Sequence, residues 1–160
     1  MGLPVTVVRY FNAYGPRLDA IDVGRVITIF LGQAFRNEPV TVIGDGTQKR
    51  CFTYVTDSVA ATVQAGLRDS AIGGIFNIGN DTETDIKTLA ALIIDTVGSK
   101  SEIRMVPQES VYGESYEDIP RRIPDLTRQR QILEYTPKVQ LAEGLKHTVE
   151  YFRQRRGSRA

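Results

Sequence analysis

The stretch "TVIGDGTQKRCFTYV", Thr41 to Val55, decides how the chain is read. A β-branched run meets a Gly-Asp-Gly turn, and a lone arginine, Arg50, then leads an aromatic-alternating strand. That order, strand, turn and strand, predicts β structure at "PVTVI" and again at "CFTYV". Thr56 or Asp57 then stands where a side-chain oxygen caps the helix "SVAATVQAGLRD". Arg50 is held at a loop–strand junction, where a guanidinium can grip a phosphate through two parallel hydrogen bonds. An ion pair with Asp45 or Asp57, or simple hydration, is the competing reading.

Working outward, "LPVTVVRYF" predicts a buried strand from about Val5 to Arg9, and "NAYGPRLDAIDVG" a long loop. Val26, Ile27, Phe30, Leu31, Ala34 and Phe35 recur at helical spacing, so a helix is expected over Val23 to Arg36. "GGIFNIG" reads as a strand. Thr84 is placed to cap "DIKTLAALIIDTVG", and Gly98 to close it. "EIRMV" is a further strand, and "PQESVYGESYEDIPRRIP" a long polar and aromatic loop of the kind that is usually functional or disordered. Helices "LTRQRQILEY" after Asp125 and "LAEGLKHTVEYFRQR" after Pro137 follow, with a frayed basic tail, "RQRRGSR". The class is α/β or α+β.

The 160 residues suit one domain with a real core, since a chain of this size buries roughly 68–70% of its unfolded surface. A net charge of +1 gives no global field to recruit nucleic acid or a membrane surface. No run reaches the ~18 apolar residues of a spanning helix, and no signal peptide is expected. The single cysteine, Cys51, excludes an internal disulfide and fits a reducing, cytoplasmic setting.

No G-x-G-x-x-G or Walker motif lies between a strand and a helix. The one histidine, His147, sits inside the last helix, and no cysteine pair or second histidine offers a metal site. What remains can bind anions. Arg122 and Asp125 form R-x-x-D: an arginine for phosphate and an acid that could accept two ribose hydroxyls, or a solvated arginine and an ordinary helix cap. Asn12, ahead of a Tyr-Gly-Pro turn, could serve a ligand or the turn.

Four segments in order, "VVRYFNAYGPR", "EPVTVIGDGTQKRCFTYVTD", "GIFNIGN" and "RRIPDL…PKVQLAEGLKHTVEYF", resemble the C-terminal portion of the extended short-chain dehydrogenase/reductase family. These are the NAD-dependent nucleotide-sugar epimerases, dehydratases and decarboxylases, and the UDP-glucose 4-epimerase and UDP-glucuronate decarboxylase branches look nearest. The resemblance implies an α/β fold: a partial Rossmann-type element plus a small α/β substrate-binding domain. Residues 1–20 would be a residual late Rossmann strand and loop, 21–156 a nucleotide-sugar-binding domain, and 157–160 a disordered tail.

By the same resemblance Asn12 contacts the sugar diphosphate and Phe11 lies near the nicotinamide. Val26 and Ile27 help to hold the base, and Thr41, Val42 and Ile43 border the uracil. Arg50 and Arg122 bind phosphate, and Asp125 binds ribose. The family's glycine-rich NAD loop and Tyr-x-x-x-Lys pair do not occur in this chain; Tyr10, Tyr14 and Tyr54 are not followed by lysine four residues on. The expectation is a UDP-sugar-binding portion that lacks its catalytic pair and binds no NAD by itself. It would meet a missing Rossmann half or a second copy through its opening strand. A split enzyme completed in trans and a non-catalytic interaction protein are the alternatives.

Overall fold

A computed structural model describes residues 2–17, 20–113 and 118–157. In chain order the elements are β1 (Val7–Tyr10), β2 (Ala13–Tyr14), α1 (Val26–Phe35), β3 (Val40–Ile43), β4 (Lys49–Cys51) and β5 (Thr53–Tyr54). They continue with α2 (Val55–Leu67), a 3₁₀ turn (Asp69–Ala71), β6 (Ile75–Ile78), β7 (Glu83–Asp85), α3 (Ile86–Val97) and β8 (Ile103–Val106). Last come α4 (Glu109–Tyr112), β9 (Arg121–Arg122), α5 (Thr127–Gln131) and α6 (Leu141–Gly157). The α/β class with parallel strands is as expected. Of the tail expected at 157–160, residues 158–160 lie outside the described residues. Among the described residues no helix is long and apolar enough to cross a membrane.

Two compact units form, and they are interleaved rather than consecutive. The first takes Met1–Tyr14, Cys51–Glu83 and Ile123–Leu141; the second takes Gly15–Arg50, Thr84–Arg122 and Ala142–Ala160. Parallel pairing leaves room for this, because strands running the same way need long crossover connections between them.

In the first unit β1 pairs in parallel with β6, Val7 opposite Ile75 and Tyr10 opposite Ile78. Val5, expected in the strand, lies outside it, yet its carbonyl still accepts the Gly73 N–H at 2.7 Å. β2 pairs in parallel with β5. The core gathers Ala61, Ala65, Ala71, Phe76, Ile78 and Leu133. Small residues at Ala61 and Ala65 let α2 approach the sheet, and each large side chain fully buried there contributes about 1.5–3 kcal/mol.

Asp57 does not cap α2, and neither does Thr56: the helix begins at Val55 without a side-chain cap. Asp57 is buried and accepts instead from the Tyr135 hydroxyl at 2.6 Å and from the N–H groups of Lys138 and Val139 at 3.1 and 3.0 Å. One carboxylate thereby satisfies three donors on a segment some eighty residues away.

The second unit packs α1 and α3 against the parallel pair β3–β8, Val40 opposite Ile103 and Ile43 opposite Val106. Phe30, Leu31, Val40, Val42, Leu89 and Ile93 are buried there. The edge of β3 is closed by a side chain: Gln33 donates to the Thr41 hydroxyl at 2.7 Å and accepts the Thr41 N–H at 3.0 Å. Helix α1 starts three residues later than its apolar pattern predicts. Asp22 and Gly24 adopt φ of 67° and 85°, and Arg25 is extended, so the turn cannot join the helix.

Helix α3 is capped by Asp85 rather than Thr84, its carboxylate accepting the Thr88 N–H at 2.7 Å. Gly98 closes the helix in the left-handed conformation, as expected. The long loop carries a short helix, α4, and a strand, β9, that sequence periodicity did not reveal. Three short strands, β7, β4 and β9 in that order, form the remaining sheet.

Candidate anion-binding site

Strand β4 follows the Gly44–Asp45–Gly46 turn, and β9 ends the long loop. They run parallel with Lys49 opposite Arg121 and Arg50 opposite Arg122. The two arginines are 72 positions apart in sequence (122 − 50) and become cross-strand neighbours on one face of the sheet. Neighbouring strands lie about 4.7–4.9 Å apart, and like charges placed directly opposite destabilise a sheet. Successive side chains point to opposite faces, so the Arg50–Arg122 pair lies on one face of this seam and the Lys49–Arg121 pair on the other.

Arg50 has a carboxylate partner, but neither Asp45 nor Asp57. Its Nη2 donates to Asp118 Oδ1 at 2.8 Å, and its Nη1 donates to the Lys49 carbonyl at 2.9 Å. The arginine side chain is 11% exposed and the aspartate 29%. Asp45 is occupied locally: it accepts the N–H and hydroxyl of Thr47, which hold its carboxyl below the usual carboxylate range. Asp57 serves the Tyr135 segment described above.

Asp118 also borders an open cleft of about 730 Å³, lined further by Ile43, Gln48, Met105, Pro107 and Pro120. Ile43, at the end of β3, thus faces the cleft. Val42 is fully buried in the core, and Thr41 spends its side chain on Gln33. Val26 opens α1 at half-burial and Ile27 is buried.

The first unit holds the other expected residues. Phe11 and Asn12 lie just past the carboxyl end of β1, the Phe11 N–H donating to the Ile78 carbonyl at 3.0 Å. Ligands of open parallel sheets bind outside the carboxyl ends of the strands. Asn12 sits at φ 42°, a left-handed conformation that asparagine tolerates better than most residues. Its amide donates to the Cys51 carbonyl at 2.8 Å, and its carbonyl accepts the Thr53 N–H at 3.1 Å. The Thr53 hydroxyl ties Phe11 to Asn80, donating to the first and accepting from the second at 2.9 and 3.0 Å.

Asp125 opens α5. Its carboxylate accepts the Thr127 N–H at 2.9 Å, and the Thr127 hydroxyl and N–H hold it below the usual carboxylate range. The Asp125 carbonyl accepts from the Asn77 amide at 3.0 Å. Sequence reasoning missed Asp118. Its signal is weak: an acid four residues ahead of Arg122, inside a loop.

A dinucleotide pyrophosphate is held by a glycine-rich turn between a strand and a helix N-terminus. The N-terminus of α3 is filled by the Asp85 carboxylate, and α2 follows β5 with no glycine between them. No group of three or more His, Cys, Asp or Glu among the described residues could hold a metal ion.

Residues 1–79 match the family described as "NAD dependent epimerase/dehydratase family". A UDP-N-acetyl-alpha-D-glucosaminuronate decarboxylase of Bacillus cytotoxicus is 43% identical over 153 residues, covering 96% of this chain and 47% of that protein. The crystal structure of UDP-glucose 4-epimerase with UDP-glucose from Thermotoga maritima superposes with a TM-score of 0.85 at 37% identity, covering 96% of this chain and 47% of the other. UDP-glucuronic acid 4-epimerase from Bacillus cereus, in complex with UDP-glucuronic acid and NAD, gives 0.81 at 29% identity, over 95% and 46%. The chain spans about half the length of these relatives. On these correspondences the chain carries an NAD-dependent epimerase/dehydratase family domain over residues 1–79 and is similar along most of its length to UDP-sugar epimerases and decarboxylases.

Proposed function

We propose that the chain is the nucleotide-sugar-binding portion of an NAD-dependent epimerase or decarboxylase acting on a UDP-sugar. The observation that carries this reading is the register of β4 and β9, which makes Arg50 and Arg122 neighbours on one face. Two guanidinium groups side by side suit linked phosphoryl groups, each of which offers oxygens to a planar pair of donors. Asn12 contributes to the sugar diphosphate and Asp125 to the ribose. Val26, Ile27 and Thr41 to Ile43 border the base, with Phe11 toward the nicotinamide. The preference for UDP comes from the relatives, whose names specify UDP-sugars. With no Tyr-x-x-x-Lys among the 160 residues, this stretch binds and orients, while proton and hydride transfer belong to groups it does not supply.

The test is titration calorimetry with UDP. Arg50→Ala and Arg122→Ala should each weaken binding by roughly ten- to a hundredfold, since a charge-assisted hydrogen bond is worth about 1.5–3 kcal/mol. Binding that is absent in the parent chain, or unchanged in both variants, removes the reading.

A second observation favours self-association. Val5, Val7 and Tyr10 are 57%, 50% and 52% exposed although β1 belongs to a parallel pair, and parallel sheets are normally covered on both faces. We infer pairing through β1 across two copies. A monodisperse monomer in sedimentation at micromolar concentration and above counts against it.

A further inference from the structure

The cleft beyond β3 is built for something other than phosphate. Among the described residues no lysine, arginine or histidine lines it, whereas Asp45, Glu109 and Asp118 do. Ile43, Val106, Pro107 and Pro120 supply apolar walls to its 730 Å³ or so. Apolar walls with a few acidic oxygens suit a flat neutral ring that carries N–H donors, and they repel an anion.

The three acids are not equivalent. Asp45 and Glu109 are exposed, so water competes for their oxygens, while Asp118 has a side chain only 29% exposed. Its Oδ1 accepts from Arg50 Nη2 at 2.8 Å and from the Ile119 N–H at 2.9 Å. The neighbouring backbone is tied to β4, the Lys49 N–H donating to the Pro120 carbonyl at 2.8 Å. No described residue donates to the other oxygen, Oδ2. An ionised carboxylate only accepts hydrogen bonds, so Asp118 is an anchored group with one acceptor oxygen filled and one open.

We propose that Asp118 reads the base: its Oδ2 accepts the N3–H of a uracil ring seated in the cleft, and so selects uridine over cytidine diphosphates. This rests on the reading of the ligand as a UDP-sugar whose base is bordered by Thr41 to Ile43, and Ile43 lines the same cleft. Uracil carries a single ring donor, N3–H, between two carbonyls. Cytosine carries a bare ring nitrogen there, which would set a lone pair against the carboxylate and leave it unpaired. Guanine offers two adjacent donors, but Oδ1 already receives two of its own. Arg50 acts on the base only through Asp118, as a positioning residue.

Titration calorimetry of the full chain with UDP, CDP and N3-methyl-UDP tests this. The wild type should bind UDP about tenfold more tightly, or better, than either analogue, on the scale of one hydrogen bond to a charged group. The amide of Asp118→Asn both donates and accepts, so there the preference for UDP over CDP should fall to about threefold or less. Both nucleotides carry the same diphosphate, and any effect passed through Arg50 cancels in that ratio. A purely structural aspartate would weaken both alike and leave the ratio unchanged, which overturns the proposal.

Asp118→Ser, whose hydroxyl also donates and accepts, is the second variant with the same expected ratio, should the asparagine unfold the chain. Equal affinity of the wild type for UDP and N3-methyl-UDP also overturns the assignment. If UDP binds, and Arg50→Ala weakens it, but the wild type holds CDP equally well, this inference fails alone. If the wild type binds neither nucleotide, it fails together with the functional reading.

Discussion

Gln129 holds Gly79 by both backbone groups: the Gly79 N–H donates to Oε1 at 2.9 Å, and Nε2 donates to the Gly79 carbonyl at 3.2 Å. Nε2 also reaches the Tyr135 carbonyl at 3.4 Å, and Gln129 is buried. One amide therefore does for the residue after β6 what a further strand would do. A Cβ at Gly79 would stand 3.2 Å from both Phe11 and Pro124, a tight approach that these neighbours would have to relieve by a small shift.

Gln129→Ala should destabilise the chain by about 2–4 kcal/mol, because it removes the bonds and strands buried donors and acceptors. Urea unfolding would show a lower midpoint with an unchanged slope. A loss under about 1 kcal/mol would mean that water replaces the amide freely.

The Tyr135 phenol sits well above its ordinary value, because burial and the Asp57 carboxylate both disfavour the phenolate. The unfolded chain therefore releases this proton first, near pH 10, while the folded chain retains it. The resulting stability is complete below that pH and is lost as pH rises toward the folded value. Thermal melts at pH 8 and pH 11 should show a steeper alkaline decline in the wild type than in Tyr135→Phe, and equal declines would contradict the coupling.

Asp85 behaves in the opposite sense. The Thr88 N–H, then its hydroxyl, hold the Asp85 carboxyl below the usual range, so its contribution is present above about pH 4 and is lost as pH falls below it. Asp85→Ala should cost about 1 kcal/mol at neutral pH, the ordinary value of an N-cap. The gap between variant and wild type should shrink in acid; a gap that stays constant to pH 2 would show that charge plays no part.

Gly46→Ala meets two obstacles at once. Gly46 has φ of 72°, and an added Cβ would lie 2.8 Å from Val42 Cγ1. Left-handed backbone and overpacking together should cost about 2–4 kcal/mol. Denaturant unfolding measures this, and a neutral substitution would show that the turn relaxes.

What the sequence revealed and what it hid divide by range. The Gly98 cap was legible because residue type and position agree locally. Asp85 was missed as the cap because Thr84 beside it is as good a candidate and spacing cannot separate them. Helix α1 was overextended because Val23 continues the apolar period, while Asp22 and Gly24 override it through their backbone conformation. Asp57 and Asp118 find partners 78 and 68 positions away, so no local pattern reports them. The convergence of Arg50 and Arg122 was expected only through the family resemblance, since strand register is set by tertiary pairing.

The interleaving of the two units bears on how this polypeptide acquires its structure. The chain passes from one unit to the other after Tyr14, Arg50, Glu83, Arg122 and Leu141, so each unit is assembled from three separated stretches. Neither can be excised as a continuous fragment, and neither is complete during synthesis until its third stretch has emerged. Distant pairings of this kind raise contact order and slow folding, so nascent chains should depend on chaperones for longer than a helical bundle of equal size.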